Sequence, residues 1–362
     1  MHAKILTVIL PSYNEKENVN FLVQALFEAD INSQIKRVIY VDDDSPDNTS
    51  EFIKKSKFPL DVLCLLRIGR QGLSSAVIEG ILLADTNYVA VMDADGQHLP
   101  IDLINMLQVA LSYNDKLVIG TRFKDKKLLK NHTGLRAFMS QIGNRLANYI
   151  LQRDLSDPLT GFFLIERDLF NTISRKIRGS GFKILIDIIY CLRNQNIKIT
   201  EVQIQFEKRL YGESKLDSGV VVEFIDQIVG LFLGKFYPEK LVGFLMVGLI
   251  GMCVHFLILW VLLNFTAASF IEAQAAATLI AIVSNYALNN LLTFRRNRQR
   301  GIYWLKGLIY FTGICSLGAG ANVGVANYIY SSDNIWWLSG MAGIIVGTVF
   351  NFTLSRYFVW KK

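Results

Sequence analysis

Four long apolar stretches occupy the second half of this 362-residue chain and restrict its possible folds more than any other feature. Each is long enough to cross the hydrocarbon core of a bilayer as a helix, which takes about 20 residues. A large soluble domain would have to bury four such helices in succession, although they carry almost no charged face. The sequence therefore predicts four membrane-spanning helices, at residues 241–263, 268–292, 305–328 and 335–357.

The lysines and arginines beside these stretches predict how they cross the membrane. Loops rich in Lys and Arg stay on the cytoplasmic side. The loops at 264–267 and 331–334 contain neither residue, so both chain termini and the first half are predicted to be cytoplasmic. Membrane-surface charge also explains the net charge of +7 better than a nucleic-acid site does, because the excess is partly concentrated beside the apolar stretches. The flanking cations are Arg295, Arg296, Arg298, Arg300, Lys235, Lys240, Lys361 and Lys362.

An internal repeat divides the apolar half into two related hairpins. Asn285-Tyr-Ala-Leu288, followed by Phe294-Arg-Arg296, matches Asn351-Phe-Thr-Leu354, followed by Trp360-Lys-Lys362, in residue type and spacing. The second and fourth helices are therefore predicted to end alike, with an aromatic residue and two cations at the cytoplasmic interface.

The segment between the two halves has one apolar face at helical period. Residues 220–237 set Glu223 and Asp226 against Phe224, Ile228 and Leu231. This pattern predicts an amphipathic helix in the membrane interface, and a helix that packs between domains fits the stretch equally well. The predicted domains are 1–218, a cytoplasmic domain, 219–239, the amphipathic helix, and 240–362, the membrane domain.

The first half alternates apolar strands with helices, a pattern typical of an α/β fold with a parallel sheet and helices on both faces. Strands are predicted at 5–10, 38–41 and 88–92, and each runs into a turn that contains carboxylates. Because the carboxyl ends of parallel strands meet at one edge, these acidic turns are expected to converge there. No Gly-x-Gly-x-x-Gly follows the first strand, which argues against a dinucleotide fold.

Asp93-Ala-Asp95-Gly-Gln97 directly follows the third of these strands. Two carboxylates at the end of a buried strand can hold a hard divalent cation, Mg²⁺ or Mn²⁺, against the diphosphate of a nucleotide. Alone, such a pair can equally cap a strand or open a turn.

Six ordered motifs in the first 220 residues resemble the family-two glycosyltransferases that load a sugar onto a polyprenyl phosphate. Within that group the resemblance is greatest to the dolichol-phosphate mannose synthases, and the four predicted membrane helices are similar to the GtrA-like membrane domain. The resemblance implies a nucleotide-diphospho-sugar transferase domain of the GT-A type. The motifs are Pro11-Ser-Tyr-Asn-Glu15, Val41-Asp-Asp-Asp-Ser-Pro-Asp-Asn-Thr49, Asp93-Ala-Asp-Gly-Gln97, Gly120-Thr-Arg-Phe123, Asp157-Pro-Leu-Thr-Gly-Phe162 and Tyr211-Gly-Glu-Ser-Lys-Leu216.

The resemblance also implies roles for individual residues. In the nucleotide-sugar site, Asp43 would read the base, and the metal ligands would be Asp93, Asp95 and Gln97. The acceptor phosphate would contact Arg122, Arg136 and Ser140, which with Asp95 form the predicted catalytic set. The full nucleotide-sugar set is Pro11, Tyr13, Glu15, Val41, Asp43, Asp93, Ala94, Asp95, Lys183, Arg209 and Lys215.

Several of these assignments have a simpler structural alternative. Arg136 and Ser140 are spaced i, i+4 and would share a helix face, but they also fit an ordinary solvated helix. Arg209 and Lys215 fit a basic linker as well as a phosphate-binding loop. Asp157 can position the sugar or acceptor, or merely cap the turn before the next strand.

The resulting functional expectation is transfer of a hexose, first mannose from GDP-mannose, to a dolichyl-type polyprenyl phosphate at the cytoplasmic face of the membrane. Inversion would give a β-linked product, and the stretch Ser156-Asp-Pro-Leu-Thr-Gly-Phe162 favours mannose because it resembles the mannosyl branch. Transfer of glucose from UDP-glucose to undecaprenyl phosphate is the alternative within this class. Outside it stands a lipid-linked-sugar flippase or scaffold with an inactive transferase half. A processive polysaccharide synthase is disfavoured because the chain has no Gln-x-x-Arg-Trp motif.

Overall fold

The computed structural model describes residues 4–69, 72–122, 135–179, 181, 183–207, 218–234, 237–333 and 336–360. The chain forms two compact units. The first consists of Met1–Lys215 with Leu231–Gly234, and the second of Leu216–Gly230 with Lys235–Lys362.

A mixed, mostly parallel sheet forms the centre of the first unit, with strand order β3-β2-β1-β4-β6-β5-β7. The predicted parallel sheet is confirmed with one exception, since β6 runs antiparallel to both β4 and β5. The sequence could not show this reversal, because the side-chain pattern of a strand such as Phe163–Glu166 is the same whether the strand runs parallel or antiparallel to its neighbours. The strands are β1 Leu6–Ser12, β2 Ile35–Asp42, β3 Val62–Leu66, β4 Tyr88–Val91, β5 Leu117–Thr121, β6 Phe163–Glu166 and β7 Ile199–Gln203.

Helices cover both faces of this sheet, as the alternating pattern predicts. Side chains along a strand point to opposite faces in turn, so Val8 and Leu10 of β1 join the core that contains helices α1 and α4. Ile9 faces the other way, where a Cβ at Gly80 of α3 would come within 2.5 Å of its Cγ2 atom. The helices are α1 Val19–Ala29, α2 Thr49–Lys55, α3 Leu73–Leu83, α4 Pro100–Tyr113, α5 Leu135–Leu151, α6 Arg167–Ile173 and α7 Ile184–Leu192, with 3₁₀ turns at Lys16–Asn18 and Ser174–Lys176.

The second unit contains four helices that are long and apolar enough to cross a membrane, in agreement with the four predicted spans. These spans are Leu241–Phe265, Phe270–Thr293, Ile302–Ser332 and Trp337–Val359. The third extends furthest beyond its predicted bounds, because Ile302 to Trp304 at one end and Ile329 to Ser332 at the other continue the helix without a break. The helices are α8 Ser218–Leu233, α9 Leu241–Phe265, α10 Phe270–Leu288, α11 Ile302–Asp333 and α12 Trp336–Leu354, with a 3₁₀ turn at Arg295–Asn297.

The repeat in the sequence corresponds to a repeat in the structure. Helices α10 and α12 each continue into a single π-helical turn, at Asn289–Thr293 and Ser355–Val359. The aromatic residues that follow these turns, Phe294 and Trp360, stack on each other with ring centroids 4.2 Å apart and planes 3° from parallel. The two hairpins therefore meet through equivalent residues.

Helix α8 carries acidic residues that are engaged inside the second unit. Asp226 accepts hydrogen bonds from the backbone N–H groups of Lys240, at 2.7 Å, and Val242, at 3.2 Å, at the start of α9. Glu223 pairs with Nε of Arg295 at 2.9 Å, in the basic loop after α10. These contacts use part of the polar face of the amphipathic pattern, and placement of α8 in the membrane interface stays a prediction.

Candidate active site

Three strand ends place the acidic turns of the first unit at one edge of the sheet. Strands β2, β1 and β4 are adjacent and parallel, so the residues that follow them emerge side by side. The first two turns are bonded directly, since the backbone N–H of Asp43 donates to the carbonyl of Ser12 at 3.0 Å. The backbone N–H of Asn14 donates to Oγ of Ser45 at 2.9 Å. The predicted convergence is confirmed for these strands.

The turn after β1 is shaped by its own polar groups. Asn14 adopts a left-handed conformation with φ of 57°, which Asn tolerates better than most residues. Glu15 is buried, and its carboxylate accepts a hydrogen bond from Nδ2 of Asn18 at 2.8 Å. Pro11 is also buried, whereas Tyr13 is partly exposed at the edge. Of the predicted nucleotide residues Pro11, Tyr13 and Glu15, Tyr13 is the one that is not buried.

A buried arginine holds Asp43 at the end of β2. Nη2 of Arg67 donates to Oδ1 of Asp43 at 2.8 Å, and the backbone N–H of Gly72 donates to Oδ2 at 2.9 Å. Arg67 also donates to the carbonyl of Gly72 and to Oγ of Ser75, at 2.8 and 2.7 Å. Only 3% of Arg67 is exposed. Sequence reasoning missed this residue, although a cation directly after strand β3 gives the same kind of signal as a carboxylate after β2.

The Asp-x-Asp motif forms a tight turn directly after β4. Asp95 is buried, and its Oδ1 accepts the backbone N–H of Gln97 at 3.1 Å across Gly96, which has a φ of 77°. The Asp93 side chain is 44% exposed. Glycine at position 161 leaves room for it, since a Cβ there would lie 3.2 Å from Oδ1 of Asp93.

This donor set fits a cation that is shared with a nucleotide rather than enclosed by protein. Among the residues that the structure describes, no three His, Cys, Asp or Glu side chains gather as a metal-binding cluster. The motif offers two carboxylates and the carboxamide of Gln97, whose Nε2 donates to the carbonyl of Glu207 at 3.1 Å. Mg²⁺ is usually bound by one or two carboxylates, with substrate phosphates and water completing its octahedron. The residues present match that requirement.

Arg122, at the end of β5, lies against a buried carboxylate. Its Nε donates to Oδ2 of Asp157 at 2.9 Å, and Asp157 is 1% exposed. In the turn after Asp157, the backbone carbonyl of Asp157 accepts a hydrogen bond from the N–H of Thr160 at 3.2 Å. The Asp157 side chain therefore pairs with Arg122, and its role in positioning the sugar or acceptor stays a prediction.

His98 packs against the turn that contains Asp93 and Asp95. Sequence reasoning also missed this residue. Its ring stacks on Phe162 with centroids 4.6 Å apart, and its Nδ1 accepts the backbone N–H of Asp93 at 3.3 Å. Burial lowers the pKa of this imidazole, which opposes protonation near the carboxylates. His98 therefore supports the turn as a neutral ring.

Both halves of the chain match known domains. Residues 7–174 match Glycosyl transferase family 2, and residues 243–360 match the GtrA/DPMS transmembrane domain. A dolichol-phosphate mannosyltransferase from Pyrococcus furiosus is 30% identical over 359 residues, which cover 98% of this chain and 99% of that protein. The chain belongs to the polyprenyl-phosphate glycosyltransferases of family 2.

Two fungal relatives agree with this assignment. The dolichol-phosphate mannosyltransferases of Mycosarcoma maydis and Saccharomyces cerevisiae are each 32% identical, over 67% and 66% of this chain and 84% and 91% of their own lengths. The predicted glycosyltransferase activity and the predicted GtrA-like membrane domain are thereby confirmed. The protein is a membrane-bound glycosyltransferase.

The structure describes some of the remaining predicted site residues of this glycosyltransferase and not others. Lys183, just before α7, lies near Asp93 and Asp157; burial lowers the pKa of its ammonium group, while the charge of Asp93 raises it. Arg136 and Ser140 lie four positions apart in α5, so they share a helix face as predicted, but their side chains are outside the described part of the chain. Arg209 and Lys215 lie outside the described residues altogether. Val41 and Ala94 are buried backbone positions of β2 and the metal turn.

Proposed function

We propose that this glycosyltransferase transfers mannose from GDP-mannose to a polyprenyl phosphate of the dolichyl type, with inversion at the anomeric carbon. The observation that carries the proposal is the alignment with the Pyrococcus furiosus dolichol-phosphate mannosyltransferase, which extends through both halves of the chain. The ordered turns at one sheet edge favour an active transferase over an inactive scaffold. Asp93, Asp95 and Arg122 are all present and supported by neighbouring groups.

The donor binds along the edge formed by β2, β1 and β4. Asp43, oriented by Arg67, accepts hydrogen bonds from the base, and Tyr13 borders the nucleoside. Asp93, Asp95 and Gln97 would hold Mg²⁺ or Mn²⁺, which would supply Lewis-acid stabilisation for the leaving diphosphate. Lys183 lies near Asp93, within the electrostatic reach of the carboxylate where the sugar–phosphate bond breaks.

The acceptor needs orientation rather than activation. A lipid phosphate is already an anion near neutral pH, so no general base has to remove a proton from it. Arg122, Arg136 and Ser140 bind its oxygens and direct one of them at the anomeric carbon, opposite the diphosphate. The new carbon–oxygen bond forms as the bond to the diphosphate breaks, which converts an α-linked donor into a β-linked product. Arg209 and Lys215 neutralise the phosphates that meet during this exchange.

A donor screen tests the proposal directly. Purified full-length protein in detergent, with a dolichyl or undecaprenyl phosphate and Mg²⁺ or Mn²⁺, is given labelled GDP-mannose, UDP-glucose or UDP-N-acetylglucosamine separately. We expect label to enter the organic phase from GDP-mannose, in a product that β-mannosidase cleaves and α-mannosidase does not. Transfer from UDP-glucose alone would contradict the donor assignment, and no transfer from any donor would favour the scaffold.

The metal assignment has its own test. Asp95→Asn keeps the size of the side chain and removes its charge, so transfer should fall roughly 100-fold or more, as it does when a key electrostatic group of an active site is lost. EDTA should abolish transfer by the native enzyme, and added Mg²⁺ or Mn²⁺ should restore it. Asp61→Asn, at a surface ion pair in which Asp61 is 53% exposed, is the matched control and should retain activity. Normal turnover by Asp95→Asn would exclude Asp95 as a metal ligand.

A further inference from the structure

An exposed aromatic residue, Phe206, lies between the metal-binding turn and Arg122. The ring is 42% exposed, and the guanidinium carbon of Arg122 lies 5.1 Å from its centroid. The Phe206 ring also makes an edge-type contact with the ring of His98, with centroids 5.4 Å apart and planes at 64°. His98 in turn accepts the backbone N–H of Asp93. One aromatic side chain thus connects the predicted donor site with the predicted acceptor site.

The backbone on both sides of Phe206 is anchored, so the position of its ring is fixed. The N–H of Gln205 donates to Oδ2 of Asp102 in α4 at 2.9 Å. The N–H of Glu207 donates to the carbonyl of Gln97 at 3.0 Å, and Nε2 of Gln97 donates back to the carbonyl of Glu207. Single exposed hydrophobic residues are common on protein surfaces, but this ring is held on both sides and carries a cation on its face.

Arg122 is consequently held from two directions. Asp157 accepts its Nε–H, which fixes one edge of the planar guanidinium, and the Phe206 ring restricts its tilt. A guanidinium group stacks on aromatic rings and grips phosphate in fixed planar geometry, which a flexible ammonium group cannot do. Both supports therefore favour one orientation of Arg122 toward an incoming phosphate.

We propose that Phe206 is a positioning residue that orients Arg122 for the phosphate of the lipid acceptor. This inference rests on the proposed function, because Arg122 is assigned to the acceptor there. The two hydrogen bonds between Glu207 and Gln97 place the same ring beside the turn that contains Asp93 and Asp95. The acceptor phosphate is thereby held at a constant distance from the donor diphosphate. Loss of the ring weakens acceptor binding and leaves nucleotide binding intact.

The test measures equilibrium binding of farnesyl phosphate, as a soluble prenyl phosphate, to full-length protein in detergent. Phe206→Leu should weaken this binding about two- to fivefold, the size expected for one exposed cation–π contact. GDP binding in the presence of Mg²⁺ should not change, and Phe206→Tyr, which keeps the ring, should restore the native affinity. Phe27→Leu, at a residue 47% exposed on α1, is the matched control and should leave both affinities unchanged.

A double-mutant cycle separates positioning from a general structural effect. In an Arg122→Ala background, Phe206→Leu should cause no further loss, because the cation it orients is gone.

Equal losses with and without Arg122, unchanged farnesyl phosphate binding, or an equal loss of GDP binding would each overturn the inference. The farnesyl phosphate measurement needs no sugar transfer, so a wrong donor assignment leaves it intact, and UDP then replaces GDP in the nucleotide-binding measurement. If native protein bound no prenyl phosphate, both the proposed function and this inference would fail.

Discussion

At the scale of single residues, the site depends on side chains that orient other side chains. Asp43 is a candidate base-reading group, but its two carboxylate oxygens are fixed by Arg67 and by the backbone of Gly72. Both members of this ion pair are largely buried. Removing one charge of a buried pair leaves the other uncompensated, which costs far more than the pair contributes as a whole. The orientation of Asp43 thus depends on Arg67.

We therefore predict that Arg67→Met destabilises the protein by about 3–5 kcal/mol and abolishes GDP binding. The measurements are thermal unfolding of full-length protein in detergent and equilibrium binding of GDP with Mg²⁺. Arg37→Met is the matched control, because Arg37 pairs with Asp61 at 2.7 Å on the surface. Such an exposed pair contributes about 1 kcal/mol or less, so this variant should bind GDP normally. If the two variants behaved alike, the buried pair would not be what orients Asp43.

Residues that directly follow strands could be predicted, Arg67 after β3 among them, whereas the partners that such residues contact could not. Asp43, Asp93 and Asp95 stand at the carboxyl ends of apolar runs, where the rules for parallel sheets place ligand-binding groups. Arg67, His98 and Phe206 act through neighbours that are brought together by strand pairing, such as the contact of β5 with β7. The local sequence pattern does not indicate which strands, far apart in the chain, will pair with each other.

At the scale of elements, the two hairpins of the membrane unit are closed by equivalent glycine–asparagine contacts. A Cβ at Gly251 in α9 would lie 1.9 Å from Oδ1 of Asn285 in α10. A Cβ at Gly318 in α11 would lie at the same distance from Oδ1 of Asn351 in α12. Small residues let membrane helices approach closely, and van der Waals packing then holds them together. The repeated asparagines seen in the sequence therefore mark where each helix pair is tightest.

This geometry predicts that Gly251→Leu separates α9 from α10, whereas Gly248→Leu is tolerated. Gly248 lies one turn earlier on the same helix, and a Cβ there would meet nothing within 4 Å. Overpacking typically costs about 1–3 kcal/mol, so Gly251→Leu should lower the midpoint of thermal unfolding in detergent. The repeat requires the same contrast between Gly318→Leu and Gly320→Leu, since Gly320 is also open. Equal effects within either pair would contradict the packing.

Helix spans and strand directions differ in how far sequence determines them. The four membrane helices were found from apolar length alone, because lipid requires every backbone polar group to bond within the helix. The reversal of β6 was not found, because side-chain pattern does not encode strand direction. The helical pattern places Asp226 on the polar side of α8, and the N-terminus of α9 supplies the hydrogen-bond donors for it. The pattern of residues within α8 does not indicate a hydrogen-bond partner that lies 14 residues further along the chain.

At the scale of the whole molecule, the side of the membrane on which the reaction takes place depends on the orientation of the hairpins. Within the second unit, Glu223 before α9 pairs with Arg295 after α10, and Nζ of Lys240 lies 5.1 Å from the ring centroid of Phe294. The start of α9 and the end of α10 therefore lie at the same end of their hairpin. Because the transferase domain precedes α9 in the chain, we expect it to share that side of the membrane.

We predict that this shared side is cytoplasmic, because it carries the arginine-rich loop and the opposite loops carry no Lys or Arg. The test uses single cysteines, Asn297→Cys in the basic loop and Ala267→Cys in the exposed loop between α9 and α10, after replacement of the four native cysteines. In intact cells a membrane-impermeant maleimide should label Ala267→Cys, and it should reach Asn297→Cys only after permeabilisation. The reverse pattern would place the donor site outside the cytoplasm. Retained transfer in both variants shows that the labelled molecules are correctly folded, so the labelling then reports the orientation of the active enzyme.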